Sequence, residues 1–97
     1  MKIGMSIKTI RKNRNETQIV FSEKIGITQA YLSQIENGQK KPSMELIENI
    51  SLITDTPIPV LFWFGISESD VCDWKIDSFR LLKPIIDLLL NSIFTKN

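Results

Sequence analysis

Residues 17 to 38, Thr17-Gln-Ile-Val-Phe-Ser-Glu-Lys-Ile-Gly-Ile-Thr-Gln-Ala-Tyr-Leu-Ser-Gln-Ile-Glu-Asn-Gly38, decide the fold of this chain. They read as two short helices joined by a tight turn at Gly26-Ile27. Thr17 has a side-chain oxygen that can accept a backbone N–H at a helix start, and Gly26 tolerates the left-handed backbone that ends a helix. A second helix then starts at Thr28 and stops at Gly38. Along it Tyr31, Leu32 and Ile35 fall on one side, while Gln29, Ala30, Ser33 and Gln34 fall mostly on the other. That outer side is polar, short and uncharged, whereas a face that is merely solvated usually carries Lys and Glu. A glutamine amide offers a donor and an acceptor together, which matches the edge of an adenine in the major groove of DNA.

Outward from this stretch the periodicity stays helical. Ile3, Ile7 and Ile10 predict a first helix from about residue 4 to 13, ended by the Asn13-Arg14-Asn15 turn. The loop from Asn37 to Pro42 is polar and basic. Ser43 then caps a helix from Met44 to Thr54, with Glu45 favourably placed in its first turn and Leu46, Ile47, Ile50 and Ile53 as its core face. Asp55-Thr-Pro-Ile-Pro59 is a breaker, and Val60 to Phe64 form a short, very apolar helix. Ser67 to Asp73 is a polar connection with Trp63 and Trp74 on either side.

With these segments in this order the chain resembles the helix-turn-helix regulators of the lambdoid phage repressor and Cro type, also called XRE-like. The resemblance rests on Thr17-Gln18, Gly26-Ile27-Thr28-Gln29, Ile35-Glu36-Asn37-Gly38 and Lys41-Pro42-Ser43, followed by the Met44 to Thr54 helix and the Pro57 to Phe62 segment, and it covers roughly residues 5 to 64. It implies a five-helix repressor-like DNA-binding domain over residues 1–66; it does not reach residues 67–97, whose own helical spacing predicts a C-terminal helical segment, so that the whole fold is expected to be all-α. The resemblance implies a function too, sequence-specific binding of double-stranded DNA by a transcriptional regulator. In such regulators the glutamine opening the first motif helix, here Gln18, directs its amide at a DNA phosphate. An Arg–Glu pair, here Arg11 and Glu36, ties the first helix to the end of the recognition helix; Arg11 is alternatively a phosphate contact, and both can hold.

The base-reading candidates are Thr28, Gln29, Ala30, Ser33 and Gln34. Both glutamines suit a base edge, Thr28 and Ala30 can touch a thymine methyl, and Ser33 can bond an edge or a phosphate. Asn37, Lys40 and Lys41 are expected on the DNA backbone, where amides and ammonium groups fix register without reading sequence. The chain departs from the family pattern at three places. Ala30 stands where relatives often have a longer polar residue, and Ser22 replaces a frequent alanine at a close helix contact. Ile19 and Val20 occupy positions commonly polar, and are expected to pack on a neighbouring element such as the C-terminal helix.

The overall charge of +1 divides unevenly along the chain. Residues 1–41 carry eight basic and three acidic side chains, a net of +5, and residues 42–97 carry four basic and eight acidic, a net of −4. A basic half suits a phosphate backbone, and an acidic half suits solvent or protein. The 97 residues allow one domain with a short appendage, because a second independent core has too little material. Cys72 is the single cysteine, so no internal disulfide forms and a reducing cytoplasm is the expected compartment. Basic residues interrupt the N-terminal apolar positions, which argues against a signal peptide, and no apolar run approaches the ~20 residues of a membrane span, so a soluble protein is expected. With no histidine, Ser-His and Cys-His nucleophiles and His-containing metal sites are excluded, and the four glycines lie too far apart for a phosphate-binding loop. Neither an enzyme nor a cofactor is expected.

From Lys75 to Phe94 one further helix is predicted, with a seam of Phe79, Leu82, Ile86, Leu89 and Ile93 and a second stripe of Leu81, Ile85 and Leu88. Pro84 kinks this helix or starts a new one. A helix apolar around more than half of its circumference must be covered on two sides, by its own domain and by another molecule. The expected partner is a second copy, giving a homodimer that uses Phe79, Leu82, Ile85, Ile86, Leu89 and Ile93 and reads an inverted-repeat operator. The alternative is a protein-interaction module, such as the antitoxin of a toxin–antitoxin pair, whose C-terminal helix holds a second protein partner.

Overall fold

Three helices begin at a hydroxyl that closes the first turn. Thr17 accepts from the Val20 N–H at 3.2 Å, Thr28 from Tyr31 at 3.1 Å and Ser43 from Leu46 at 3.1 Å. Each satisfies one of the backbone donors that a helix start leaves without a partner. The computed structural model describes residues 2–94 and is all helical, with no strand among them. The elements are α1 (Ile3–Asn13), α2 (Gln18–Ile25), α3 (Gln29–Glu36), α4 (Met44–Thr54), α5 (Ile58–Phe64) and α6 (Ile76–Phe94), with short 3-10 turns at Glu68–Asp70 and Asp73–Lys75 between the last two helices. The turn between α2 and α3 depends on Gly26, whose φ of 79° would strain any residue with a Cβ.

The core lies where α1 to α5 meet. Ile7, Ile10, Phe21, Leu32, Ile35, Ile50 and Leu61 are all but inaccessible. α1 crosses α3 at Gly4, where a Cβ would run into the Ile35 carbonyl, so the two backbones touch directly. The buried Ser6 hydroxyl donates to the Leu61 carbonyl, and Asn49 Nδ2 donates to the Ile25 carbonyl at 3.0 Å, bracing the α2–α3 turn from α4.

The short apolar helix starts at Ile58, earlier than the expected Val60, because Pro59 sits in its first turn, where a missing N–H leaves nothing unsatisfied. The connection after α5 is more ordered than its polarity suggested: the Ser67 N–H donates to Asp70 Oδ2 at 2.9 Å and closes a 3-10 turn. α6 passes through Pro84 as one helix. Ile19 and Val20 are not covered by α6 as expected; they stand 60% and 43% exposed.

No residue of α6 is fully buried. Its inner line, Phe79, Lys83, Ile86, Leu90 and Phe94, is half-buried against the domain. Polar contacts fix it there. Trp63 Nε1 donates to Asp87 Oδ1 at 2.7 Å, Lys83 Nζ reaches the same carboxylate at 2.9 Å, and Asn13 Nδ2 donates to Asn91 Oδ1 at 2.6 Å. The Trp63 and Phe79 rings lie 6.2 Å apart. The single seam drawn through positions 79, 82, 86, 89 and 93 is therefore corrected. Its five positions form one stripe about 80° wide at 3.6 residues per turn, but the edge of the covered face runs through it, so Phe79 and Ile86 turn toward the domain while Leu82, Ile85, Leu89 and Ile93 stay exposed with Leu81 and Leu88.

Candidate nucleic-acid interface

The site begins with a buried charge. Arg11 on α1 and Glu36 at the end of α3 meet in a two-pronged ion pair, with Nε to Oε2 at 2.8 Å and Nη2 to Oε1 at 3.0 Å. The third guanidinium nitrogen, Nη1, donates to the Glu16 carbonyl at 2.9 Å. At 8% exposure, Arg11 is packed beneath the motif, which is the first of its two expected roles. A phosphate contact, its other expected role, would have to use the remaining N–H of Nη1 or Nη2, since one N–H on each of the three nitrogens is engaged within the protein. The pair holds α1, α3 and the α1–α2 turn in register.

From Glu36 a line of hydrogen bonds runs outward. Gln18 Nε2 donates to Glu36 Oε1 at 3.0 Å, and Gln29 Nε2 donates to Gln18 Oε1 at 2.9 Å. The first residues of α2 and α3 are thereby brought together, with Gln18 half-buried and Gln29 exposed. Thr28 and Ala30 share that exposed edge, whereas Ser33 and Gln34 are half-buried further along α3. Beyond α3, Asn37, Lys40 and Lys41 stand exposed in the loop, supported by the Gln39 and Lys40 N–H groups donating to the Gln34 carbonyl at 2.9 and 3.2 Å.

Sequence reasoning missed Lys2 and Lys8. They line the same cavity of about 730 Å³ as Asn37, Lys40 and Lys41, so the start of α1 joins the loop in one basic rim. None of these four lysines has an acidic partner among the described residues. The +5 balance of the first half was the available signal; helical spacing alone could not relate α1 to a loop thirty residues away.

On the far side of Arg11, Glu16 is tucked between Lys24 and Arg14. Burial pushes its pKa up, but the Lys24 ammonium and Arg14 guanidinium outweigh burial and hold it below the usual carboxylate range. No helix of the described residues is long and apolar enough to cross a membrane.

Residues 7–61 match the family described as helix-turn-helix. The chain is similar to the immunity repressor protein of Bacillus phage phi105, 37% identical over 51 residues that make up 53% of this chain and 35% of that protein. It is also similar to the HTH-type transcriptional regulator SinR of Bacillus subtilis, 37% identical over 60 residues, or 61% of this chain and 54% of that one. A third relative, the antitoxin PezA of Streptococcus pneumoniae, is 44% identical over 48 residues, 50% of this chain and 30% of the antitoxin. The matches thus span between about a third and about half of these proteins. No solved structure matches the chain significantly. The caps at Thr17, Thr28 and Ser43, the left-handed Gly26 and the Arg11–Glu36 pair all lie inside the matched residues, and the chain belongs to the XRE-like helix-turn-helix family.

Proposed function

We propose that this protein is a transcriptional regulator, a repressor, that binds double-stranded DNA at a specific inverted-repeat operator as a homodimer. The outer face of α3 carries the reading: an exposed, uncharged edge of Thr28, Gln29 and Ala30, with Gln29 braced by Gln18. Gln29, with Ser33 and Gln34 behind it, reads base edges from the major groove, and Thr28 and Ala30 lie against thymine methyls. The second N–H of the Gln18 amide, with Asn37, Lys40, Lys41 and the newly found Lys2 and Lys8, grips phosphates on either side. No group of this site needs a metal or a cofactor for that work. The exposed line Leu82, Ile85, Leu89 and Ile93, joined by Leu81 and Leu88, pairs two copies, so the two recognition helices reach half-sites about 34 Å apart, or a multiple of that. Selection of bound sequences from random duplex DNA tests this: it should return a two-fold symmetric motif, and a pool that stays random contradicts it.

A second reading has one observation in its favour. The apolar stripe of α6 would suit a different protein as well as a second copy, and one relative is named an antitoxin. Purification from the native host separates the two, because a small protein co-purifying in equal amount supports the antitoxin reading.

A further inference from the structure

We propose that the buried Arg11–Glu36 pair sets the polarity of the base-reading amide, making two buried residues positioning residues for operator specificity. The inference rests on the regulator reading above. A glutamine amide has a donor end and an acceptor end, and nothing in its shape prevents it from turning over. A carboxylate in an ion pair, by contrast, only accepts. Glu36 Oε1 takes one hydrogen bond from Arg11 Nη2 at 3.0 Å and a second from Gln18 Nε2 at 3.0 Å. Gln18 must therefore turn its nitrogen to Glu36 and its oxygen toward α3. There that oxygen accepts from Gln29 Nε2 at 2.9 Å. Reversing Gln18 would set a carbonyl against a carboxylate, and reversing Gln29 would set a carbonyl against a carbonyl. Only one arrangement satisfies the chain.

The consequence lies at the outer end. Gln29 keeps its second N–H and its whole carbonyl for a ligand, in a fixed order in space. The major-groove edge of adenine offers an acceptor at N7 and a donor at N6, which complements that pair of groups. Guanine offers two acceptors, so the Gln29 carbonyl meets one of them unfavourably. The charge anchoring the chain is held by burial, since Arg11 and Glu36 are only 8% and 5% exposed, and a hydrogen-bonded ion pair at the buried end leaves the line little freedom to rearrange.

The test uses the full chain and a panel of duplexes bearing the selected operator. The base pair that Gln29→Ala relaxes is varied through all four possibilities. Two variants break the chain at different points. Arg11→Met with Glu36→Met replaces the buried charges by apolar side chains of similar length, a change that folded proteins tolerate. Gln18→Leu leaves the ion pair intact. In wild type, A·T at this position should be preferred by about 5- to 150-fold. In either variant that melts cooperatively, this preference should fall roughly threefold or more, while preferences at other positions hold. A purely structural role, or the loss of a phosphate contact, would lower affinity for every duplex alike. Carboxamide NMR of the protein without DNA gives an independent readout: dispersed Gln18 and Gln29 side-chain signals should move toward random-coil positions when the pair is removed. An unchanged base preference in a folded variant overturns the proposal, as do wild-type signals already at random-coil positions. If wild type prefers no duplex, the regulator reading fails and the readout role with it, while the NMR signals still decide whether the amides are held.

Discussion

Gln29 and Lys41 separate the two kinds of contact expected at the interface. Gln29→Ala removes a donor and an acceptor from the exposed start of α3, and should lose about 1–3 kcal/mol on the best operator while relaxing preference at one base pair. Lys41→Ala should weaken all duplexes alike and make the dependence of affinity on salt shallower by about one unit of slope. Binding titrations over a salt series distinguish them; Gln29→Ala with unaltered preference contradicts the assignment. Glu16 makes a prediction of another sort. Its folded pKa is depressed, so the stability it contributes is present above the unfolded pKa and is lost as pH falls through the folded one. Acid melting curves should show this loss below the ordinary glutamate range. Lys24→Ala combined with Arg14→Ala leaves burial without its counterweight, so that part of the pH dependence should flatten or invert.

The elements were legible to different degrees, for physical reasons. α2, α3 and α4 announce themselves because a hydroxyl at the start is a local signal, independent of what packs above it. Thr28→Ala should therefore cost about 0.5–2 kcal/mol in chemical denaturation, with binding weakened further because the cap sits beside Gln29; an unchanged midpoint contradicts its role. α5 was found but begun late, since a proline reads as a breaker in sequence and as a favourable first-turn residue in place. α6 was legible at nearly its observed length, and so was its need for cover on two sides, but not which residues the domain itself covers. Periodicity fixes which residues share a stripe but not where the domain lies against it, and the anchors that decide this, Trp63 to Asp87 and Asn13 to Asn91, pair residues far apart in sequence. The candidate site divides in the same way. Single residues such as Gln18, Gln29, Arg11 and Glu36 were visible, whereas their linkage into one line, and the approach of Lys2 and Lys8 to the α3–α4 loop, are tertiary facts.

At the scale of the whole molecule, charge and apolar surface are segregated. The basic residues and the polar edge of α3 belong to the first half, and the exposed leucine and isoleucine stripe belongs to α6. Burying that stripe against a second copy at ~25 cal/mol per Å² of apolar area favours a dimer at micromolar concentration even after the cost of association. Leu82→Glu with Leu89→Glu places two charges in the outer face without touching the inner line. This variant should stay folded, run as a monomer in light scattering, and lose operator affinity because its second half-site contact is no longer tethered. A wild-type chain that scatters as a monomer contradicts the dimer. The central claim, specific recognition of duplex DNA, is tested most directly by fluorescence anisotropy of the full chain at physiological salt, comparing the selected operator with a scrambled duplex of the same composition. A regulator should bind the operator at least ~10³-fold tighter than the scrambled duplex; equal affinity for the two would contradict the account.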